Sequence, residues 1–111
     1  MIPATTLSYI LDGPVPVAEP DPDAWRAWMR AAQLDGRRIV AKTQINPRLE
    51  VSTVFTGMDR GPAASPGFER PIVFESATFE DGEVVDTRGY TSWEDAQAGH
   101  AALVATLGGS V

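Results

Sequence analysis

The sequence contains no cysteine and only one histidine, His100. The absence of cysteine excludes disulfide bridges, thiolate metal sites and cysteine nucleophiles. A single histidine also excludes a metal site built from several imidazoles of one chain. We therefore expect no metal ion and no cofactor, and any site must rely on carboxylates, hydroxyls, guanidinium groups and one imidazole.

Long apolar runs are absent as well, which bears on membrane association. No stretch approaches the ~18 apolar residues that a membrane-spanning helix needs. The first residues, MIPA, lack the basic region and the apolar core of a signal peptide. We therefore expect a cytoplasmic protein that does not bind membranes.

Basic residues are scarce relative to acidic ones. The chain has nine Lys and Arg against fifteen Asp and Glu, which gives a formal net charge of −6. Nucleic-acid binding by phosphate neutralisation needs clustered basic side chains. We therefore expect no direct nucleic-acid binding, and the acidity suits either plain solubility or a basic partner.

The length of 111 residues and the hydrophobic content of 43% suit one domain, residues 1–111, with a modest core. Residues 5–11 are predicted to form a short strand. The proline-rich segment 12–22 is predicted to be a connector that crosses the surface, because proline removes a backbone donor.

Two helices are predicted from their end signals. Asp21 suits the N-cap of the first, Pro22 its first turn and Gly36 its stop. Apolar residues in this helix follow helical spacing on one face: Trp25, Trp28, Met29 and Ala32. The second helix is expected to begin at a capping box of Thr91 and Glu94 and to end at Gly108-Gly109.

Between the helices, alternating and β-branched residues predict strands at 37–45, 49–57, 71–79 and 84–90. The first two are joined by the turn NPR, and the last two by EDGE, which contains the tight-turn pair Asp-Gly. The predicted fold class is therefore α+β, with an antiparallel β-sheet of about four to five strands packed by two α-helices.

The segment 58–70 is unusually long and rich in Gly and Pro for a hairpin loop in a small domain. Such a loop is either functional or merely flexible. Within it, Asp59 and Arg60 offer an acceptor beside a forked donor, and Phe68 can either anchor a partner or tuck into the core.

A polar cluster is the second candidate site. If the strand register aligns them, Thr43, Thr53 and Glu75 form a polar patch within an apolar sheet face, where burial would raise the pKa of the carboxyl. Glu75 can equally be a solvent-facing residue. His100 can pair with Glu75 or with Asp59 as an acid–base couple, or it can be a boundary residue that hydrogen-bonds to the sheet or to the loop 58–70.

Catalytic and phosphate-binding motifs are missing. The sequence has no G-x-G-x-x-G, no G-K-[ST], no G-x-S-x-G and no H-E-x-x-H. These absences argue against the common nucleotide-binding folds, serine hydrolases and zinc proteases. They leave no residue that we would assign as catalytic.

Three segments resemble a family of small uncharacterised proteins encoded by bacteriophages and prophages: VSTVFTGMD (51–59), PIVFESATF (71–79) and YTSWEDAQAGH (90–100). The resemblance spans most of the chain and implies a phage or prophage origin. Members of that family often carry histidine directly after the Gly-x-Asp aspartate, where this chain has Arg60. A role that needs two histidines is therefore not expected here.

Three functions compete at this stage. The first is a non-enzymatic accessory protein that binds a host protein, as an anti-defence factor in the host cytoplasm. The second is a binder that sequesters a small nucleotide-type ligand. The third is a hydrolase using His100 and a carboxylate. A homodimer stays open, because a small sheet with an exposed face can associate.

Overall fold

The computed structural model describes residues 8–59 and 71–108, and these form an α+β domain as predicted. The eight elements are β1 (Tyr9–Asp12), β2 (Val15–Ala18), α1 (Pro22–Asp35), β3 (Ile39–Asn46), β4 (Leu49–Phe55), β5 (Phe74–Glu80), β6 (Glu83–Tyr90) and α2 (Trp93–Gly108). Strands β3, β4, β5 and β6 form one antiparallel sheet in that order, and β1 and β2 form a separate two-stranded ribbon. Among the described helices, none has the length and apolar character to cross a membrane.

The two short turns of the large sheet lie side by side. Asp81 and Gly82, between β5 and β6, both have positive φ angles, of 53° and 83°, which is the backbone that a two-residue hairpin turn favours. Arg48, in the turn between β3 and β4, donates to both carboxylate oxygens of Asp81 at 2.9 and 2.7 Å. This bond holds the pKa of Asp81 below its usual value and ties the two turns together.

The prediction of a simple connector at 12–22 is wrong, because residues 15–18 form β2. Leu11 pairs with Pro16 in this ribbon, and Gly13 turns the chain with a φ of 59°. A two-stranded ribbon has a free edge on each strand, so a proline can sit in it without removing a needed hydrogen bond. The composition that suggested a loop is therefore compatible with an edge strand.

Helix α1 has the predicted ends. The Asp21 side chain accepts from the Asp23 amide at 2.9 Å, and Gly36 ends the helix in the left-handed region with a bond from its amide to the carbonyl of Ala32. The Trp25 indole donates to the carbonyls of Tyr9 and Gly57 at 3.1 and 3.0 Å. One side chain thus fastens α1 to both β1 and the end of β4.

Helix α2 begins one residue later than predicted. The Ser92 hydroxyl, rather than that of Thr91, caps the helix by accepting from the Asp95 amide at 3.0 Å. Both residues offer a hydroxyl, so local sequence did not separate them. Trp93 is therefore the first helical residue, and Ala96, His100 and Leu103 lie on the buried side of the helix.

The core is organised around a row of aromatic rings in edge-to-face contact. Trp28 of α1 contacts Phe55 of β4 at 5.7 Å between ring centroids, Phe55 contacts Phe74 of β5 at 5.5 Å, and Phe74 contacts Trp93 of α2 at 6.1 Å. Such pairs add about 0.5–1.5 kcal/mol each to the free energy of burial. The row joins both helices to the same face of the large sheet.

At Gly99, α2 lies close against the Tyr90 ring of the sheet. A Cβ atom added at Gly99 would lie 2.2 to 2.4 Å from atoms of the Tyr90 ring. No side chain fits there unless the ring moves. The helix can therefore lie flat across the sheet, where it contacts all four strands, only because this position has no side chain.

We expect Gly99→Ala to lower the free energy of unfolding by about 1–3 kcal/mol, because overpacking forces the Tyr90 ring out of place. Helix propensity alone would give the opposite sign, a gain of up to about 1 kcal/mol. Urea denaturation measures the change. Ala98→Gly, at the neighbouring exposed position, measures the effect of helix propensity alone, without the ring contact. A Gly99→Ala variant that is more stable than the natural chain would contradict the tight contact.

Candidate functional site

His100 is buried within the interface between α2 and the sheet, with 5% of its surface exposed. Its Nε2 atom lies 2.8 Å from the hydroxyl of Thr43 on β3, and its Nδ1 atom lies 2.7 Å from the hydroxyl of Thr53 on β4. Both ring nitrogens are therefore hydrogen bonded. The prediction that His100 bonds to the sheet is confirmed, although the residue is buried rather than at the boundary.

The hydrogen bonding continues beyond His100. The Thr53 hydroxyl also lies 2.5 Å from the hydroxyl of Ser76 on β5. Thr43, His100, Thr53 and Ser76 form a continuous row, which we name the hydroxyl–imidazole chain. It crosses three strands beneath α2. Burial lowers the pKa of His100 from its ordinary value, so the neutral imidazole is the favoured form.

Glu75 does not belong to this cluster, and the predicted patch of Thr43, Thr53 and Glu75 is therefore wrong in one member. Thr53 pairs with Ser76 across the strands, whereas Glu75 pairs with Val54. Successive side chains of a strand point to opposite faces, so Glu75 lies on the face away from α2. An acid–base pair between Glu75 and His100 is not formed.

Asp59 has a structural role next to the predicted loop. Its carboxylate accepts from the Ile72 amide at 3.0 Å, which links the two described ends of that segment. Burial first, and the Asp59 charge second, raise the pKa of Tyr9. Arg60 and Phe68, the other two loop candidates, lie outside the described residues.

The hydroxyl–imidazole chain resembles a catalytic arrangement in residue types only. Ser76 and Thr53 are 1% and 0% exposed, so no substrate can reach a hydroxyl that the imidazole activates. Within residues 8–59 and 71–108, no group of three or more His, Cys, Asp or Glu side chains could hold a metal ion. The chain of hydrogen bonds therefore holds the helix on the sheet.

A surface groove lies around the turn of the β1–β2 ribbon. It consists of two clefts, of about 320 and 460 Å³, that share Pro14 and Trp93 as walls. We name their combination the hairpin groove. The first cleft is lined by Tyr9, Pro14, Val15, Pro16, Pro71, Thr91, Ser92, Trp93 and Glu94, and the second by Leu11, Gly13, Pro14, Trp28, Arg37, Ile39 and Trp93.

The groove carries one charged side chain of each sign. Glu94 lines the first cleft and Arg37 lines the second. The Arg37 guanidinium lies over the Trp28 ring, 5.3 Å from its centroid, and its Nε atom contacts Asp35 at 2.7 Å. Aromatic and proline walls with one charge of each sign form a surface suited to an extended chain.

Sequence reasoning missed the hairpin groove. Its walls come from β1, β2, α1 and the start of α2, which are distant in sequence. The available signal was the alternation of two prolines with two valines at 14–17, near predicted aromatic anchors. That signal was assigned to a connector, because a ribbon cannot be distinguished from a proline-rich loop by composition.

Comparison with known proteins gives no further assignment. No family model, no curated protein and no solved structure matches the chain. The resemblance to phage and prophage proteins therefore stays a prediction.

Thr53→Val tests the hydroxyl–imidazole chain. We expect it to lower the free energy of unfolding by about 1–3 kcal/mol, because it leaves buried polar atoms of His100 and Ser76 without their partner. Chemical denaturation measures the loss. Tyr90→Phe is the matched control: within residues 8–59 and 71–108, the buried Tyr90 hydroxyl has no hydrogen-bond partner, so its removal should be neutral or stabilising. Equal losses in both variants would contradict a special role for the bonded hydroxyl.

The stability of the protein should depend on the charge state of His100. Because burial lowers its folded-state pKa below 6.5, the unfolded chain binds a proton at a higher pH than the folded one. Unfolding then becomes easier as the pH falls below about 6.5. We expect the stability advantage of the natural chain over His100→Gln to shrink between pH 7 and 5.5, because the unfolded chain takes up the proton before the folded one.

Taking this difference between two variants cancels the titration of the carboxylates that both share. Denaturant titrations at each pH supply the two free energies. An advantage that stays constant, or that grows on acidification, would show that the folded state accepts the proton.

Proposed function

We propose that the chain is a non-enzymatic binding protein that uses the hairpin groove to hold an extended segment of a partner protein. The observation that carries this proposal is the groove itself, where Tyr9, Trp28 and Trp93 line adjoining clefts and Arg37 lines the second cleft. Tyr, Trp and Arg are the residue types that dominate binding energy at protein interfaces.

The burial and hydrogen bonding of the polar residues support binding over catalysis. The one imidazole is bonded on both nitrogens and buried beneath α2. The hydroxyls nearest to it are also bonded within the core. A surface with aromatic walls and few titratable groups recognises shape and apolar side chains more readily than it transfers protons.

The charge pattern defines the partner segment further. Glu94 at the first cleft and the net charge of −6 favour a basic residue in the partner. The proline and aromatic walls favour an extended apolar stretch beside it. In the setting that the phage resemblance predicts, the partner is a host protein of the bacterial cytoplasm, and binding interferes with a defence function.

A nucleotide-type ligand is the second candidate, and one observation favours it. Arg37 over Trp28 places a cation beside a ring in a cleft of about 460 Å³, within the size of small-molecule sites. Asp35 already contacts that guanidinium, which weakens its attraction for phosphate. The predicted patch of Thr43, Thr53 and Glu75 offers no alternative site, since Glu75 lies on the other face of the sheet.

The test begins with capture of partners from a bacterial lysate and their identification by mass spectrometry. The dissociation constant of each purified partner is then measured against Val15→Asp and Arg37→Glu, which alter the two clefts separately. We expect at least tenfold weaker binding for both variants, a loss of about 1.4 kcal/mol or more. Thermal shift with nucleotides tests the second candidate on the same variants.

Leu34→Asp is the matched control, because Leu34 is 84% exposed and lines neither cleft. It should bind like the natural chain. A partner that binds all three variants equally well would contradict the hairpin groove as the site. Nucleotides that raise the melting temperature of the natural chain but not of Arg37→Glu would favour the second candidate.

A further inference from the structure

Strand β6 forms one edge of the large sheet and is exposed along nearly its whole length. Among the described strands it pairs with β5 alone, and each residue from Glu83 to Gly89 is exposed. Val84 and Val85 are 54% and 56% exposed. An edge of this length, without proline or lysine, is a template for pairing with another strand.

The charges on β6 indicate which kind of strand would pair with this edge. Asp86 and Arg88 project from the same side of the strand, with 3.2 Å between Asp86 Oδ2 and Arg88 Nε. In an antiparallel pair of two identical strands centred on Thr87, each Asp86 lies opposite the partner's Arg88. The charge pattern of this edge is therefore complementary to itself under a two-fold rotation.

We propose that the protein forms a homodimer by antiparallel pairing of two β6 strands about Thr87. The pairing joins two four-stranded sheets into one continuous sheet and keeps both α2 helices on the same side, because the two-fold axis is perpendicular to the sheet. It also brings the bulged Val85 close to Gly89 of the second copy, which has no side chain to compete for space. This inference is independent of the hairpin groove.

The acidic end of β6 fits this register. A β-bulge leaves Val85 without a partner on β5, because Thr78 pairs with Asp86 and Phe79 pairs with Val84. The bulge limits regular pairing at this end, where Glu83 has no basic residue opposite it. Regular pairing between two copies therefore centres on residues 86–88, the part with complementary charges. A partner strand from another protein would need an equivalent charge pair in the opposite order, whereas a second copy supplies it by symmetry.

Sedimentation velocity over a concentration series tests the dimer, at an ionic strength where the net charge is screened beyond about 8 Å. Asp86→Arg and Arg88→Asp each place two like-charged pairs at the interface, so both should weaken dimerisation about tenfold. The double variant D86R/R88D restores opposite charges across the two-fold axis, and it should dimerise like the natural chain. Denaturation of each variant checks that the fold is retained.

A second measurement locates the axis. The chain contains no cysteine, so Thr87→Cys introduces a unique thiol that faces its own copy at the Cα separation that a disulfide accepts. Mild oxidation should give a covalent dimer rapidly, whereas Lys42→Cys, on the opposite edge strand β3, should not. A natural chain that stays monomeric up to about 1 mM, or a dimer insensitive to the charge exchange, would overturn the proposal.

Discussion

The structure depends on a buried imidazole whose two nitrogens must both be hydrogen bonded. An unpaired polar group in a core costs about 1–3 kcal/mol, so α2 can lie only where His100 reaches hydroxyls on two strands. Thr43 and Thr53 supply them from β3 and β4. Apolar contacts alone tolerate sliding, whereas two directional bonds fix the helix in one position along the sheet.

The other contacts of α2 follow from this position. Trp93 lies about two turns before His100 and contacts Phe74, and Gly99 lies directly against Tyr90. The segment WEDAQAGH therefore contains the residues that fit the helix to the sheet. Their roles are in packing, and they give no information about activity.

The sequence predicted the elements with local signals and failed where distant parts meet. Helix caps, the Asp-Gly turn and the NPR turn are determined by neighbouring residues, so α1, the two hairpins and the fold class were predictable. The sheet face on which Glu75 lies was not predictable. Val73 and Phe74 are both apolar and both buried, so the alternation of apolar residues does not show which of the two begins the core face of β5. The observed core face of β5 instead carries Ser76 and Thr78 after Phe74.

Those polar core residues explain why the candidate site differs from the site predicted from the sequence. In a sequence, a hydroxyl residue in a strand predicts a solvent-facing position. Here the hydroxyls of Thr53 and Ser76 are hydrogen bonded to each other inside the core, and that of Thr53 is also bonded to His100. Because these hydroxyls are buried and bonded to each other, they are not available for chemistry at the surface. Trp93 then links the two regions, because it packs on Phe74 inside and forms a wall of both clefts outside. The hydrogen bonds that position α2 thus also position the groove that we propose for binding.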